Sequence, residues 1–312
     1  MTVVPFGPRP AVPPPRDVAS AIRAGQCSGV ESCRLIVVGG GKGGTGKSLL
    51  TANLGVLAAL AGRRVVLVDG DLGLANLHLL LNVEPQANLL SLLEPGWSAE
   101  HLASALPRRG PAGVVLLPGA AGVARLAGLN RGELRRLIQR LEPHLAEAEL
   151  VLIDLSSGIS PSTRLFLQAA QEIVVVANPE PSAMLDAYGV IKWLTESRHE
   201  GEIYLVMNRT RDATVADECA RRMLATTERF LARGLRYLGW VPEDEAMILS
   251  VQRQCPVVLD SPQSAAAAAL RSISRRLTHD LVPARGTLGA FFSTARVLLV
   301  PRERSTKSSC AL

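Results

Sequence analysis

The chain has 312 residues, and its hydrophobic content of 47% excludes an intrinsically disordered protein. The formal net charge of +6 favours a polyanionic partner without identifying it. The five cysteines follow no metal-binding spacing, and no run of eighteen apolar residues occurs, so we expect neither a structural metal nor a membrane span. Because the proline-rich start lacks the apolar core of a secretory signal, the sequence predicts a cytoplasmic protein.

Three regions are expected along the chain. Residues 1–33 form a proline-rich leader with a short helical motif, residues 34–280 one large domain, and residues 281–312 a basic amphipathic tail. In the domain, helical segments such as 48–61, 131–146 and 182–197 alternate with short apolar runs at 35–38, 65–68, 114–117, 150–153, 173–176, 203–206 and 235–241. Such continuously apolar runs are typical of strands covered on both faces, so the pattern predicts an α/β fold with a doubly wound, mainly parallel sheet.

A glycine-rich loop follows the first predicted strand. It consists of Gly41, Lys42, Gly43, Gly44, Thr45, Gly46, Lys47 and Ser48, which fit the phosphate-loop pattern G-x-x-x-x-G-K-[ST]. Its position between a strand and a helix directs backbone N–H groups and the helix N-terminus at phosphate oxygens. In such a loop Lys47 contacts the β- and γ-phosphates, and the Ser48 hydroxyl is a ligand of Mg²⁺.

Carboxylates end two other predicted strands. Asp69 and Asp71 lie two residues apart, so both side chains point towards the phosphates, where one serves the Mg²⁺ shell and the other orients the attacking water. Asp154 follows the run 150–153 and has the position of the metal-holding carboxylate of P-loop NTPases. The N–H group of Gly158 is placed to approach the γ-phosphate.

The phosphate loop carries an early lysine, Lys42, and resembles the deviant loop of the MinD/ParA family of dimerising ATPases. In that family this lysine reaches the nucleotide of the partner subunit, so the resemblance implies an ATP-dependent homodimer that uses ATP and Mg²⁺. It assigns catalysis to Lys42, Lys47 and Asp71, metal support to Asp69, and adenine contacts to Asn208, with Pro242 on the other side of the base. The segment Asn208-Arg-Thr-Arg211 has arginine where related GTPases carry a base-reading aspartate, which favours ATP over GTP.

Several stretches resemble one branch of that family, the flagellar-number regulators called FlhG or FleN. These stretches are residues 69–81, 116–120 and 154–160, together with Asn178-Pro-Glu-Pro-Ser182 and the residues 186–192 that follow. The prolines at 179 and 181 suit an ordinary strand-to-helix loop as well as a dimer interface. Asp17-Val-Ala-Ser-Ala-Ile-Arg23 resembles the motif by which such proteins stimulate FlhF, a signal-recognition-type GTPase, and a fortuitous amphipathic helix is the alternative.

The end of the chain combines apolar spacing with positive charge. Residues 270–312 carry eight basic and two acidic side chains, which account for the whole net charge. One helical face collects Leu288, Phe291, Phe292, Ala295, Leu298 and Leu299, called the C-terminal stripe below. Apolar residues beside arginines predict an interfacial helix on an anionic membrane, and the alternative is that the stripe packs on the domain as its last core helix.

The patterns together predict an ATP-hydrolysing, dimerising switch that regulates flagellar number or placement, in the cytoplasm or on the inner face of the cell membrane. Hydrolysis is expected to be slow without a partner, as in other switch NTPases. The alternative hypothesis is a ParA-like protein that positions DNA or cargo through the basic tail. Nucleic acid is the less favoured partner because the phenylalanines of the tail suit lipid.

Overall fold

An eight-stranded sheet organises the computed structural model, which describes residues 33–120, 129–278 and 287–300. The strands are β1 (Arg34–Gly39), β2 (Val65–Gly70), β3 (Arg108–Arg109), β4 (Val115–Leu117), β5 (Leu150–Leu155), β6 (Glu172–Ala177), β7 (Glu202–Thr210) and β8 (Arg236–Pro242). Their order in the sheet is β3-β4-β2-β5-β1-β6-β7-β8, and every pair is parallel except β3 with β4. The predicted doubly wound sheet is confirmed, whereas the edge strand β3 was not predicted because its two arginines carry no apolar signal.

Helices cover both faces of this sheet. They are α1 (Lys47–Leu60), α2 (Leu77–Leu80), α3 (Ala99–Ala105), α4 (Arg131–Leu141), α5 (Pro161–Ala169), α6 (Pro181–Glu196), α7 (Ala213–Leu231), α8 (Glu245–Gln252), α9 (Val257–Asp260), α10 (Ala265–Thr278) and α11 (Leu288–Leu299). Helix α4 ends before the predicted residue 146, since Pro143 converts the next turn to a 3₁₀ segment, Glu142–His144. Within the described residues, none of the helices has the length and apolarity that crossing a bilayer requires.

Two apolar layers hold the helices on the sheet. Alternate residues of β1 enter opposite layers: Ile36 and Val38 pack with α1, α9 and α10, whereas Leu35 and Val37 pack with α4 to α7 and α11. All six residues of β1 are buried, as a central strand requires. The strands are therefore fixed from both sides, which gives the loops at their carboxyl ends a rigid base.

The C-terminal stripe is covered by the domain in this structure, because helix α11 packs into the core. Phe291 and Phe292 are each 1% exposed, and Phe291 stacks on Phe166 of α5 with ring centroids 6.0 Å apart. Arg131 of α4 donates a hydrogen bond to the carbonyl of Leu298, and this contact fixes the far end of the helix. For residues 288–299 the structure thus favours the alternative, a last core helix.

Two other predictions concern residues outside the described ranges. The helical motif that begins at Asp17 and the last basic residues of the chain, 301–312, have no described structure. Of the eight basic residues counted at the end of the sequence, Arg271, Arg275 and Arg276 lie on helix α10 of the domain. Part of the net charge therefore belongs to the folded domain.

Candidate nucleotide-binding site

The phosphate loop connects β1 to α1 at the carboxyl edge of the sheet, as the sequence predicts. Gly44 and Gly46 adopt φ angles of +77° and +90°, which glycine reaches without the strain that a side chain causes. A Cβ atom on Gly46 would lie 2.1 Å from the Asn208 amide nitrogen, and one on Gly41 would lie 2.2 Å from the carbonyl oxygen of Asp186. The loop is glycine-rich because it is pressed between the end of β7 and helix α6.

Lys47 lies inside this loop with an exposure of 8%. Its ammonium group donates to the carbonyl oxygen of Lys42 at 3.1 Å. Burial lowers the pKa of Lys47, and the carboxylates of Asp154 and Asp71 oppose that shift. A desolvated cation beside the curved backbone of a glycine-rich loop is an arrangement that binds a phosphate group.

Asp69 and Asp154 face each other across neighbouring strands. They are register partners in β2 and β5, and their exposures are 0% and 1%. One oxygen of Asp69 accepts from the N–H groups of Asn76 and Leu77 at 2.9 Å each, and Asp154 accepts from the Thr51 hydroxyl at 3.2 Å. Burial raises the pKa of Asp154 to about 7 and that of Asp69 to about 8, where the charge of Asp154 contributes further.

This carboxylate pair fits a divalent cation. The second oxygen of Asp69, Oδ1, is buried and has no hydrogen-bond partner among the described residues. The Ser48 side chain at the start of α1 acts on Asp154 and lowers its pKa, so this hydroxyl lies near the carboxylate pair. Mg²⁺ is held in proteins by one or two carboxylates together with substrate phosphates, which matches this set of oxygens.

Asp71 has a different environment from Asp69. It follows the end of β2, is partly exposed, and accepts a hydrogen bond from the N–H of Leu74 at 3.1 Å. Its charge acts on Lys47, so the carboxylate lies on the phosphate-loop side of the sheet edge. Being hydrogen-bonded on one oxygen and accessible to water, Asp71 suits the orientation of a water molecule better than the buried Asp69 does.

Lys42 points away from its own phosphate loop. Its ammonium group contacts Glu180 at 2.5 Å and the Ser182 hydroxyl at 2.9 Å, both at the start of α6. The pair is open to solvent, since the side chains of Lys42 and Glu180 are 36% and 55% exposed. The hydrogen bond from Lys42 lowers the pKa of Glu180. Of the two lysines of the loop, Lys47 is thus buried inside the site and Lys42 lies at its exposed rim.

Gly158 lies against the start of the phosphate loop. It has a φ of +81°, and its N–H donates to the carbonyl oxygen of Gly40 at 3.1 Å. The predicted approach of this N–H to a γ-phosphate therefore requires that the bond to Gly40 be exchanged.

Asn208 lies two residues before the end of β7, against the phosphate loop, and Pro242 ends the neighbouring strand β8. The amide nitrogen of Asn208 donates to the carbonyl oxygen of Thr45 at 2.7 Å, which fixes the orientation of the amide. Its carbonyl oxygen is then the atom left to accept from an amino group. Adenine carries an amino group where guanine carries a carbonyl oxygen, so this orientation favours adenine.

Two neighbours of the site were not singled out by the sequence analysis. Thr51 lies one helical turn after Lys47 and contacts Asp154, a role that the i, i+4 spacing on α1 could have indicated. Glu180 was noted only within a resembling stretch, and its contact with Lys42 joins residues 138 positions apart in the chain. A contact of that separation has no local signal.

Comparison with known proteins agrees with this geometry. Residues 36–257 match the family model described as the CobQ/CobB/MinD/ParA nucleotide binding domain. The antiactivator FleN of Pseudomonas aeruginosa is 31% identical over 85% of this chain and 94% of its own length. The flagellum site-determining protein YlxH of Helicobacter pylori is 30% identical over 66% of this chain and 68% of its own length.

A solved structure supports the same assignment. The septum site-determining protein MinD of Pyrococcus horikoshii, complexed with Mg-ADP, is 26% identical and superimposes with a TM-score of 0.65 over 79% of this chain and 96% of its own. The matched region contains the phosphate loop and the three carboxylates described above. The chain therefore belongs to the MinD/ParA family of P-loop ATPases.

Proposed function

We propose that this protein is an ATP-dependent dimerising switch that regulates flagellar number or placement. The observation that carries the proposal is the outward position of Lys42, which contacts Glu180 and Ser182 instead of its own phosphate loop. A partly exposed cation at the rim of a nucleotide site is available to a second subunit. FleN and YlxH support the flagellar role as relatives.

Exposed apolar residues lie close in the chain to residues of the site. Leu74 is 69% exposed three residues after Asp71, and Ile159 is 36% exposed directly after Gly158. Leu185 is 69% exposed beside Asp186, whose backbone contacts the phosphate loop. Three large apolar side chains around a polar site are typical of a surface that a protein partner covers. A second copy of this chain would bury them and bring its own Lys42 to the site.

Each side chain of the site has a distinct task in hydrolysis. Lys47 binds and neutralises phosphate oxygens, Ser48 and Asp154 hold Mg²⁺ with Asp69 in support, and Asp71 orients the attacking water. When bound, Mg²⁺ supplies positive charge to the phosphate oxygens. Gly158 reports the γ-phosphate through its N–H group, and Asn208 with Pro242 holds the adenine.

Size-exclusion chromatography of the full chain with ATP and with ADP tests this function. We expect a dimer with ATP and a monomer with ADP, a Lys47→Ala variant that binds neither nucleotide, and an Asp71→Ala variant that stays dimeric with ATP. Lys42→Ala should bind ATP and remain monomeric, whereas Lys192→Ala, which removes an exposed lysine on α6, should behave as wild type. Normal dimerisation of Lys42→Ala would contradict the proposal.

Membrane association is proposed for the end of the chain, with a constraint from the fold. The four large buried side chains of α11 contribute about 6–12 kcal/mol by burial, so dimerisation would have to offset that free energy to release the helix onto lipid. Co-sedimentation with anionic vesicles, with and without residues 286–312, tests the association. Binding that survives the deletion would contradict it.

The partner proposed for the leader is an FlhF-type GTPase. The motif beginning at Asp17 lies outside the described residues, so its sequence alone supports this proposal. A pull-down of the GTPase by the full chain and by a chain that lacks residues 1–30 tests it. Equal recovery by both chains would contradict a role of the leader.

A further inference from the structure

A small cavity lies at the end of α1 opposite to the phosphate loop. It has a volume of about 220 Å³, and its apolar wall includes Leu57 and Ala61 near the end of α1. Three arginines complete the wall: Arg63 from the loop after α1, and Arg271 and Arg275 from α10. Among the residues that the structure describes, no acidic side chain lines it. The cavity therefore concentrates positive charge over an apolar floor.

The three arginines differ from neighbouring ones in having neither a hydrogen-bond partner nor an ion-pair partner among the described residues. Arg64 pairs with Glu149, and Arg276 donates to the carbonyl oxygen of Leu238. Among the described residues, no hydrogen bond or ion pair joins Arg63, Arg271 or Arg275 to a partner. Their guanidinium donors are thus available to a ligand.

The preference of a helix end for positive charge does not explain why these three arginines lie together. Arg275 lies in the last turn of α10, where the helix dipole favours a cation. Arg271 lies one turn earlier, outside the last turn, and at i, i+4 spacing from Arg275 two like charges repel each other. Arg63 adds a third like charge from another element. An anion placed between them would convert this repulsion into attraction.

A second, larger cavity is also lined by arginines, but those arginines have partners. It has a volume of about 540 Å³ and is lined by two arginines, Arg131 and Arg164, near the end of α11. Arg131 is used by the carbonyl of Leu298, and Arg164 lies over the Trp193 ring at 5.5 Å. Those arginines have structural partners, so that cavity carries no comparable excess of unpaired charge.

We propose that Arg63, Arg271 and Arg275 form a second anion site, which takes a phosphate group. Guanidinium groups bind phosphate through paired N–H donors, and three of them from two elements can surround one such group. The cavity volume suits a phosphate or a pyrophosphate, from a soluble metabolite or from a lipid headgroup. Helix α1 spans its fourteen residues over about 21 Å, so the site is separate from the phosphate loop.

The test compares full-length wild type with an Arg271→Gln/Arg275→Gln variant. Calorimetry with inorganic pyrophosphate, in the presence of saturating ADP to fill the phosphate loop, measures the soluble ligand. Co-sedimentation with phosphatidylglycerol–phosphatidylcholine vesicles measures the headgroup. An Arg221→Gln/Arg222→Gln variant on α7 is the control, because it removes two exposed charges outside the cavity. Arg63→Gln is a second variant that reaches the site from another element.

We expect at least a tenfold loss of affinity for pyrophosphate or for the vesicles in both cavity variants, and no such loss in the control. Loss with pyrophosphate assigns a soluble phosphate, and loss with vesicles alone assigns a headgroup. Equal effects of the cavity and control variants would overturn the proposal, because they would reflect overall charge. Unchanged binding of both pyrophosphate and vesicles by the cavity variants would overturn it as well.

Discussion

Substitution of Phe292 by alanine tests whether α11 belongs to the core. Phe292 is 1% exposed and meets Phe291 edge to face at 5.3 Å, with an angle of 84° between the rings. Removal of a buried phenylalanine ring costs about 3–5 kcal/mol of unfolding free energy, and this range includes the cavity that remains. For a domain of this size each kcal/mol lowers the melting temperature by about 2–4 °C, so we expect a decrease of about 6–20 °C.

The matched control lies on the same helix. Val297 is 70% exposed, so Val297→Ala should change the unfolding free energy by no more than about 0.5 kcal/mol. Thermal unfolding followed by circular dichroism, with nucleotide absent, measures both variants. If Phe292→Ala unfolds within about 2 °C of Val297→Ala, well short of the expected decrease, then α11 is not packed as described. A Phe292→Leu variant, which keeps most of the buried volume, should lie between them.

Three further predictions concern the nucleotide site. Because the pKa of Asp69 is raised to about 8, the folded protein keeps a proton that the unfolded chain has lost above about pH 4. The free energy of unfolding therefore falls as the pH rises from about 4 to about 8, by up to about 1.4 kcal/mol per pH unit. Asp69→Asn should flatten this fall in melting curves recorded without Mg²⁺ or nucleotide. Asn208→Ala should weaken ATP binding and reduce the preference for ATP over GTP in calorimetry, because the amide no longer fixes Thr45 or accepts from adenine; an unchanged preference would refute that role. Glu180→Gln should leave the melting temperature unchanged and lower the protein concentration needed for ATP-dependent dimerisation, since the contact with Lys42 is solvent-exposed; a higher required concentration, measured by analytical ultracentrifugation, would count against it.

The sequence by itself determined the seven apolar strands of the sheet and the residues of the phosphate loop. Continuous apolar runs fix a parallel strand locally, and the loop motif fixes its own backbone shape through glycine, so both are readable without tertiary contacts. The same holds for Asp69, Asp71 and Asp154, because Asp69 and Asp154 directly follow apolar runs and Asp71 lies two residues after Asp69. Their assignment to the metal and to water remains a prediction.

Only the tertiary structure decided which alternative applies at the end of the chain. The spacing of the C-terminal stripe suits lipid and core equally, because a helix face carries no information about what covers it. The stacking of Phe291 on Phe166 joins residues far apart in sequence and selects the core.

The net charge shows the same division between sequence and structure. The sequence located the excess of basic residues at the end of the chain, and there it indicated a tail. Folding places Arg271 and Arg275 in one cavity with Arg63, which lies about two hundred residues earlier in the chain. The interaction of two charges depends on their distance in space and not on their separation in the sequence. The structure alone therefore reveals that these three cations line one cavity without ion-pair partners among the described residues.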